Sequence, residues 1–162
     1  GKKGIQAIII ENAVPEIESE ANRILSRLTD NKMHVAFLTQ HQNKTGNIVE
    51  TLELVIGDDV GSRNYELYSG GEAFKVNFAI RVALARLLAR RSGAKLETLI
   101  IDEGFGSQDE ASRDRLVKAI GSIQGDFARI LVITHMADIK EMFPVQIQVT
   151  KRNGASELEI LS

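Results

Sequence analysis

The sequence holds no cysteine among its 162 residues. That rules out disulfides and any thiolate metal site, and it is consistent with a cytosolic protein. Neither sign of charge dominates: 20 lysines and arginines face 22 aspartates and glutamates, a formal net charge of -2. This argues against a protein that coats DNA through bulk basicity, so any nucleic-acid contact would need a local patch. No apolar run approaches a membrane span, and the N-terminus lacks the usual apolar core of a secretory signal. There is no His-Glu-x-x-His pattern and no carboxylate-rich calcium loop, which argues against a self-sufficient metalloenzyme. Nor is there a Gly-x-x-x-x-Gly-Lys-[Ser/Thr] loop, so nothing in the chain would cradle a phosphate chain unaided.

What is present is ordinary globular material, 43% hydrophobic and 26% charged. The length favours one domain, and with no internal repeat and no linker, residues 1–162 read as a single α/β unit. The segment over about residues 1–30 reads as helix. Ile17, Ala21, Ile24, Leu25 and Leu28 recur at helical spacing, and Pro15 is expected in a first helical turn. Met33 to Gln40 and Val49 to Ile56 are strand-like and joined by the polar "HQNKTGN". In the second, Leu52, Leu54 and Ile56 alternate with Thr51 and Glu53, the pattern of a half-buried antiparallel pair. "GDDVGSRN" reads as turn. A helix then runs from Ser69-Gly70-Gly71 to about Arg91, apolar nearly all round and so expected to be buried. "ETLIID" and "RILVITH" are continuous apolar runs typical of buried parallel strands. The helix "DEASRDRLVKAIGSI" separates them, and the short helix "MADIKEMF" ends at Pro144. "VQIQVTK" and "SELEILS" form a hairpin around "RNGA". The sequon at Asn43 reads as chance, and the scattered Lys2, Lys3, Lys44 and Arg63 read as solvated surface.

In open α/β sheets ligands gather beyond the carboxyl ends of the parallel strands. Both apolar strands here end in chemistry, one in Asp102-Glu103 and the other in His135. Neighbouring residues on a strand point opposite ways, so the two carboxylates are suited to different tasks. One fits a water-rich Mg2+ site, the other the orientation of a water molecule. Taken singly, each of these side chains is as readily a solvated surface group. Ser69-Gly70-Gly71 precedes a helix, whose N-terminus carries roughly half a positive charge and free N–H donors. Glycines let an anion come close to such a backbone, and Ser69 adds a hydroxyl. His34 and His41 have no partner motif.

The order and spacing of these features resemble the C-terminal lobe of an ABC-type P-loop ATPase head. "YSGGE" resembles the ABC signature loop in its Glu form. "TLIIDEGFGSQD" resembles a Walker B strand with its D-loop, ending at Asp109, and "ILVITH" resembles the H-loop strand. "SGGEAFKVNFAIRVALARLLARR" together with "IDEGFGSQDE" is similar to the SbcC-type DNA double-strand-break repair ATPases. The resemblance covers essentially the whole chain and is densest over residues 65–143. It implies an α/β lobe with a parallel sheet core, flanking helices and some antiparallel strands. By the resemblance, Asp102 helps hold Mg2+, Glu103 polarises the hydrolytic water and His135 contacts the γ-phosphate. Ser69, Gly70 and Gly71, with Glu72 of the same loop, would bind the γ-phosphate of ATP held on another head. Asp109 would lie in the D-loop between heads.

The resemblance also implies what is missing. In SbcC-like proteins the Walker A loop lies in an N-terminal lobe, beyond a long antiparallel coiled coil with a zinc hook. The chain is therefore expected to be a C-terminal lobe, cut near the coiled-coil base at Gly1, that hydrolyses ATP only with the N-terminal lobe. The implied partners are that lobe, a second head in an ATP-dependent pair, an SbcD-type metallophosphoesterase nuclease and DNA, with no membrane. The implied location is the cytoplasm, at the nucleoid. Three positions depart from the commonest ABC pattern: Tyr68 for leucine, Gly104 for proline and Gln108 for leucine. The glycines flanking Phe105 suggest a freer D-loop. A head lobe of a chromosome-organising SMC-type ATPase shares the Glu-form signature and stands as the alternative, although such proteins usually lack "DEGFG". A free-standing α/β interaction module is the non-enzymatic one.

Overall fold

The computed structural model describes residues 5–42, 48–93 and 96–161. The sequon, most of the polar 41–47 connection, Lys2, Lys3 and Lys44 lie outside them. Helix α1 (Ile5–Thr29) opens the chain, and Val14, Ala21, Ile24, Leu25 and Leu28 form its buried stripe. Pro15 lies inside this helix rather than in its first turn. An interior proline removes one backbone bond and costs about 3 kcal/mol. Helix-forming residues on both sides carry α1 through it. The helix stops at Thr29, whose Oγ1 donates to the Leu25 carbonyl at 2.8 Å and accepts from the Met33 N–H at 3.2 Å. Asp30 and Asn31 then adopt left-handed φ values of 55° and 60°, which Asp and Asn tolerate better than most residues.

Strands β1 (His34–Gln42), β2 (Ile48–Asp58) and β3 (Gly61–Asn64) form an antiparallel sheet in that order. The stretch read as turn thus contains a strand. Asp58 Oδ1 accepts from the N–H groups of Val60 and Gly61 at 2.8 and 3.1 Å. That tight turn folds β3 back on β2, with Val55 opposite Asn64. Helix α1 covers the outer edge of β1. The Asn22 amide bonds both the N–H and the C=O of Val35, at 2.7 and 2.8 Å, and Glu18 accepts from the Phe37 N–H at 2.8 Å. An edge satisfied in this way is closed to further pairing.

Helices α2 (Gly70–Ser92) and α3 (Glu110–Ile123) join α1 around one core. Arg86 of α2 is buried and bonds Glu20 of α1 and Asp126 of the single 3-10 turn after α3. One guanidinium thus ties three elements. Helix α2 is not buried all round: Asn77, Arg81, Leu84 and Leu88 form an exposed stripe, because its neighbours reach only the opposite side. It ends at Gly93, at a left-handed φ of 66°.

Strands β4 (Leu96–Asp102) and β5 (Phe127–Ile133) are parallel, as expected, in register from Leu96 opposite Phe127 to Asp102 opposite Ile133. They are only half covered. Leu99, Ile101, Ile130 and Val132 turn toward the core, while Ile100, Leu131 and Ile133 lie open on the other face. A run apolar on both faces needs two covers, and the described residues supply one. Helix α4 (Ala137–Lys140) is a single turn. Strands β6 (Gln146–Arg152) and β7 (Ala155–Leu161) form the expected hairpin, turning at Asn153 and Gly154 with φ 50° and 84°. Ile147 faces Ile160 and Val149 faces Leu158, and all four stand in solvent.

Candidate functional site

Because β4 and β5 end level, the residues that leave them emerge side by side. The Glu103 N–H adds one more ladder bond, to the Ile133 carbonyl at 3.0 Å. The backbone then turns sharply, with φ of 60° at Glu103 and 101° at Gly104. A left-handed φ costs a non-glycine residue roughly 1–2 kcal/mol, and such strain collects at functional positions. The turn brings Glu103 to His135: Oε1 lies 3.0 Å from Nδ1. The carboxylate accepts, so Nδ1–H donates, and Nε2 is left to face a ligand. The two side chains are 57% and 74% exposed, so the pair is accessible rather than a buried brace. Asp102, the last residue of β4, is exposed, and its side chain makes no hydrogen bond or ion pair among the described residues. Among those residues no cluster of three or more His, Asp or Glu side chains is arranged to hold a metal by itself. One free carboxylate nevertheless fits Mg2+, which commonly takes one or two protein oxygens and completes its shell with water and substrate phosphates.

The start of α2 is built differently. Ser69 is its N-cap: Oγ accepts from the Glu72 N–H at 3.4 Å and donates to Glu72 Oε2 at 2.7 Å. The same carboxylate oxygen accepts from the Ser69 N–H at 3.0 Å. This is a capping box, whose signal in the sequence is Ser-x-x-Glu, the same four residues that read as an anion loop. The two glycines have separate reasons. Gly70 faces open space, whereas a Cβ on Gly71 would lie 2.7 Å from the Ser107 carbonyl oxygen and 3.2 Å from Gln108 Nε2. Close approach of the 103–108 loop therefore accounts for Gly71. Among the described residues no hydrogen bond or ion pair links Ser69 or Glu72 to Glu103 or His135. Among the described residues the strand ends and the helix start are thus two separate exposed groups of polar side chains.

The loop between them is held rather than free. Phe105 is buried in the core. The Phe74 ring lies over Gly104, where a Cβ would meet a ring carbon at 2.0 Å. Ser107 Oγ donates to the Gly104 carbonyl at 3.1 Å, and the Gln108 N–H to the Phe105 carbonyl at 3.0 Å. Proline's fixed φ is incompatible with Gly104, and of the two glycines flanking Phe105 only Gly106 faces open space. The Gln108 side chain is buried, and its Nε2 donates to the Gly71 carbonyl at 3.0 Å and to Ser107 Oγ at 3.1 Å. Tyr68 is buried too, with its hydroxyl donating to the Ile56 carbonyl at 2.9 Å. Both departures from leucine thus place a buried donor on a backbone oxygen. For Gln108 the only sequence signal is the departure itself.

Asp109 is the N-cap of α3 and accepts from the Ser112 N–H at 2.7 Å. Hydrogen bonds from the Ser112 side chain and backbone hold its carboxyl below the usual carboxylate range. Lys75 of α2 donates to Ser112 Oγ at 3.0 Å, and burial pulls its ammonium below the ordinary lysine value against the opposing pull of Asp109. Arg113 pairs with Asp138 at 3.0 Å and reaches the Phe105 carbonyl at 3.4 Å, fixing the segment that follows His135.

Residues 26–122 match a family model described as SbcC/RAD50-like, Walker B motif. The chain belongs to this SbcC/RAD50-like family. It is 33% identical over 146 residues to the SbcC component of the SbcCD nuclease of Treponema pallidum (strain Nichols), a match covering 88% of this chain and 14% of that protein. It is 34% identical over 111 residues to the SbcC component of the Pseudomonas aeruginosa SbcCD nuclease, a match covering 67% of this chain and 9% of that one. The chain thus spans a small fraction of the length of these SbcC relatives. A solved Smc head domain from Pyrococcus furiosus, with an extended coiled coil and bound to the C-terminal domain of ScpA, superposes with a TM-score of 0.73 at 19% identity. That match covers 96% of this chain and 37% of the other, and it shows a shared ATPase-head fold.

Proposed function

We propose that this chain is the C-terminal lobe of an SbcC-like ABC ATPase head, which hydrolyses ATP when an N-terminal lobe supplies the Walker A loop. The observation that carries the reading is the Glu103–His135 pair, strained, exposed and held at the level ends of two parallel strands. Glu103 Oε1 is engaged by His135 Nδ1–H, which leaves Oε2 to accept a hydrogen bond from the attacking water and orient it toward the γ-phosphorus. His135 Nε2, the ring nitrogen left free of Glu103, faces a γ-phosphate oxygen. Asp102 would hold Mg2+, which when bound neutralises phosphate charge. The open face of Ile100, Leu131 and Ile133 supports docking of the second lobe there.

Ser69 and Gly70 stand clear of that pair and open to solvent. This fits a signature loop that serves the γ-phosphate of ATP on a second head, with Ser69 Oγ moving from Glu72 to the phosphate. Gly71 and Glu72 shape the same loop, and Asp109 faces the partner head. Binding of two ATP molecules closes the heads, and hydrolysis reopens them. In this scheme an SbcD-type nuclease performs phosphodiester cleavage on DNA ends, in the cytoplasm at the nucleoid, and the zinc hook belongs to the coiled coil outside this chain. Among the described residues no helix is long and apolar enough to cross a membrane.

The test is Glu103→Gln in heads assembled with the N-terminal lobe. ATP binding is expected to persist while turnover falls by on the order of 10²–10³, as for other lost transition-state contacts. Unchanged turnover would remove Glu103 from the mechanism.

A further inference from the structure

We propose that Gln108 is a positioning residue that locks the signature loop to the D-loop, so that both meet a second head as one rigid surface. The inference rests on the head-pairing reading above and adds to it a residue that touches no nucleotide. Gln108 is 5% exposed, and a buried polar side chain of this kind persists where it makes bonds. Its Nε2 donates at 3.0 Å to the carbonyl of Gly71, in the first turn of α2, and at 3.1 Å to Ser107 Oγ. Its own N–H closes the loop on the Phe105 carbonyl at 3.0 Å. The next residue is Asp109, the cap of α3. One amide therefore lies between the loop that presents Ser69 and the residue that leads into α3.

The surrounding packing leaves the two segments no independent path. The 2.7 Å approach of a Gly71 Cβ to the Ser107 carbonyl excludes any side chain between them. One turn along α2, Lys75 holds Ser112 at 3.0 Å, and Phe74 covers Gly104. The Phe74 and Lys75 contacts fix the spacing of the two segments. Among the described residues, Gln108 is the one that adds a directional bond across the seam at the helix start, where about half a turn separates Gly71 from Ser69. A leucine or methionine would fill the same volume and donate nothing.

The experiment uses heads assembled with the N-terminal lobe, carrying Gln108→Met, Gln108→Leu or Gln108→Glu, with Ser69→Arg as the control. Light scattering reads ATP-dependent pairing, and a fluorescent ATP analogue reads affinity at the head's own site. Loss of this bond is expected to raise the half-saturating head concentration about tenfold in the Met and Leu variants, with own-site affinity unchanged and the unfolding temperature lowered only as far as the loss of one buried hydrogen bond dictates. Gln108→Glu sets a carboxylate against the Gly71 carbonyl, so its pairing defect should be deeper at pH 8. It should close on acidification relative to wild type at the same pH, as the protonated acid regains a donor. A passive filler would not show that recovery. Wild-type pairing in folded Met or Leu variants, or a pH-independent defect in the Glu variant, overturns the role of Gln108. Normal pairing by Ser69→Arg overturns the head-pairing reading itself.

Discussion

Gly104→Ala is a substitution for which the structure dictates a large local penalty from two separate causes. Two terms add. The backbone φ is 101°, where an L side chain is strained by roughly 1–2 kcal/mol or more. The new Cβ would stand 2.0 Å from one Phe74 ring carbon and 2.4 Å from two others. Relief of such overpacking typically costs about 1–3 kcal/mol. The sum, about 2–5 kcal/mol, is a large part of the marginal stability of a domain this size. In a urea titration followed by circular dichroism, with a slope of about 2 kcal/mol/M, the midpoint should fall by about 1–2.5 M. Gly106→Ala is the matched control, since its Cβ meets nothing within 4 Å, and its stability should stay within about 0.5 kcal/mol of wild type. Repeating Gly104→Ala in a Phe74→Ala background should remove the steric term and leave the backbone term, about 1–2 kcal/mol. Equal midpoints for the two glycine variants would refute the reasoning. An undiminished penalty without the ring would show that Phe74 is not the obstacle.

Two further outcomes follow from buried or capping groups. Tyr68→Phe removes the hydroxyl that donates to the Ile56 carbonyl and should cost about 1–2 kcal/mol, read as a lower unfolding temperature; an unchanged temperature would mean that the ring alone accounts for Tyr68. Asp109 has a folded pKa below its reference value of 3.8, so its contribution is fully present above that value and is lost as the pH falls through the folded one. Asp109→Ala should therefore be less stable than wild type at pH 7, with the gap closing below about pH 4. A gap of constant size across that range would refute the capping account.

Local chemistry makes much of this fold legible in the chain itself. The parallel strands ending at Asp102 and beside His135 follow from two apolar runs flanking an amphipathic helix. The hairpin turn follows from Asn153-Gly154. Burial is another matter. "TLIID" records that both faces of a strand are apolar, but the second cover belongs to no neighbouring residue in the described chain. Pro15 escapes its first-turn preference because that preference is a local rule, while α1 is held by the longer stripe from Val14 to Leu28. Ser69-Gly70-Gly71-Glu72 encodes a capping box and an accessible loop together, and only packing tells the two glycines apart. A glycine announces that space is needed, never which neighbour needs it. Gln108 is the least legible of all, because its bond to Gly71 joins residues far apart in the chain.

The bare hairpin formed by β6 and β7 bears on how the polypeptide survives in a cell. Its four aliphatic side chains make a greasy strip of the kind that chaperones and proteases treat as damage. Once covered in the assembled head, the strip would no longer be read that way.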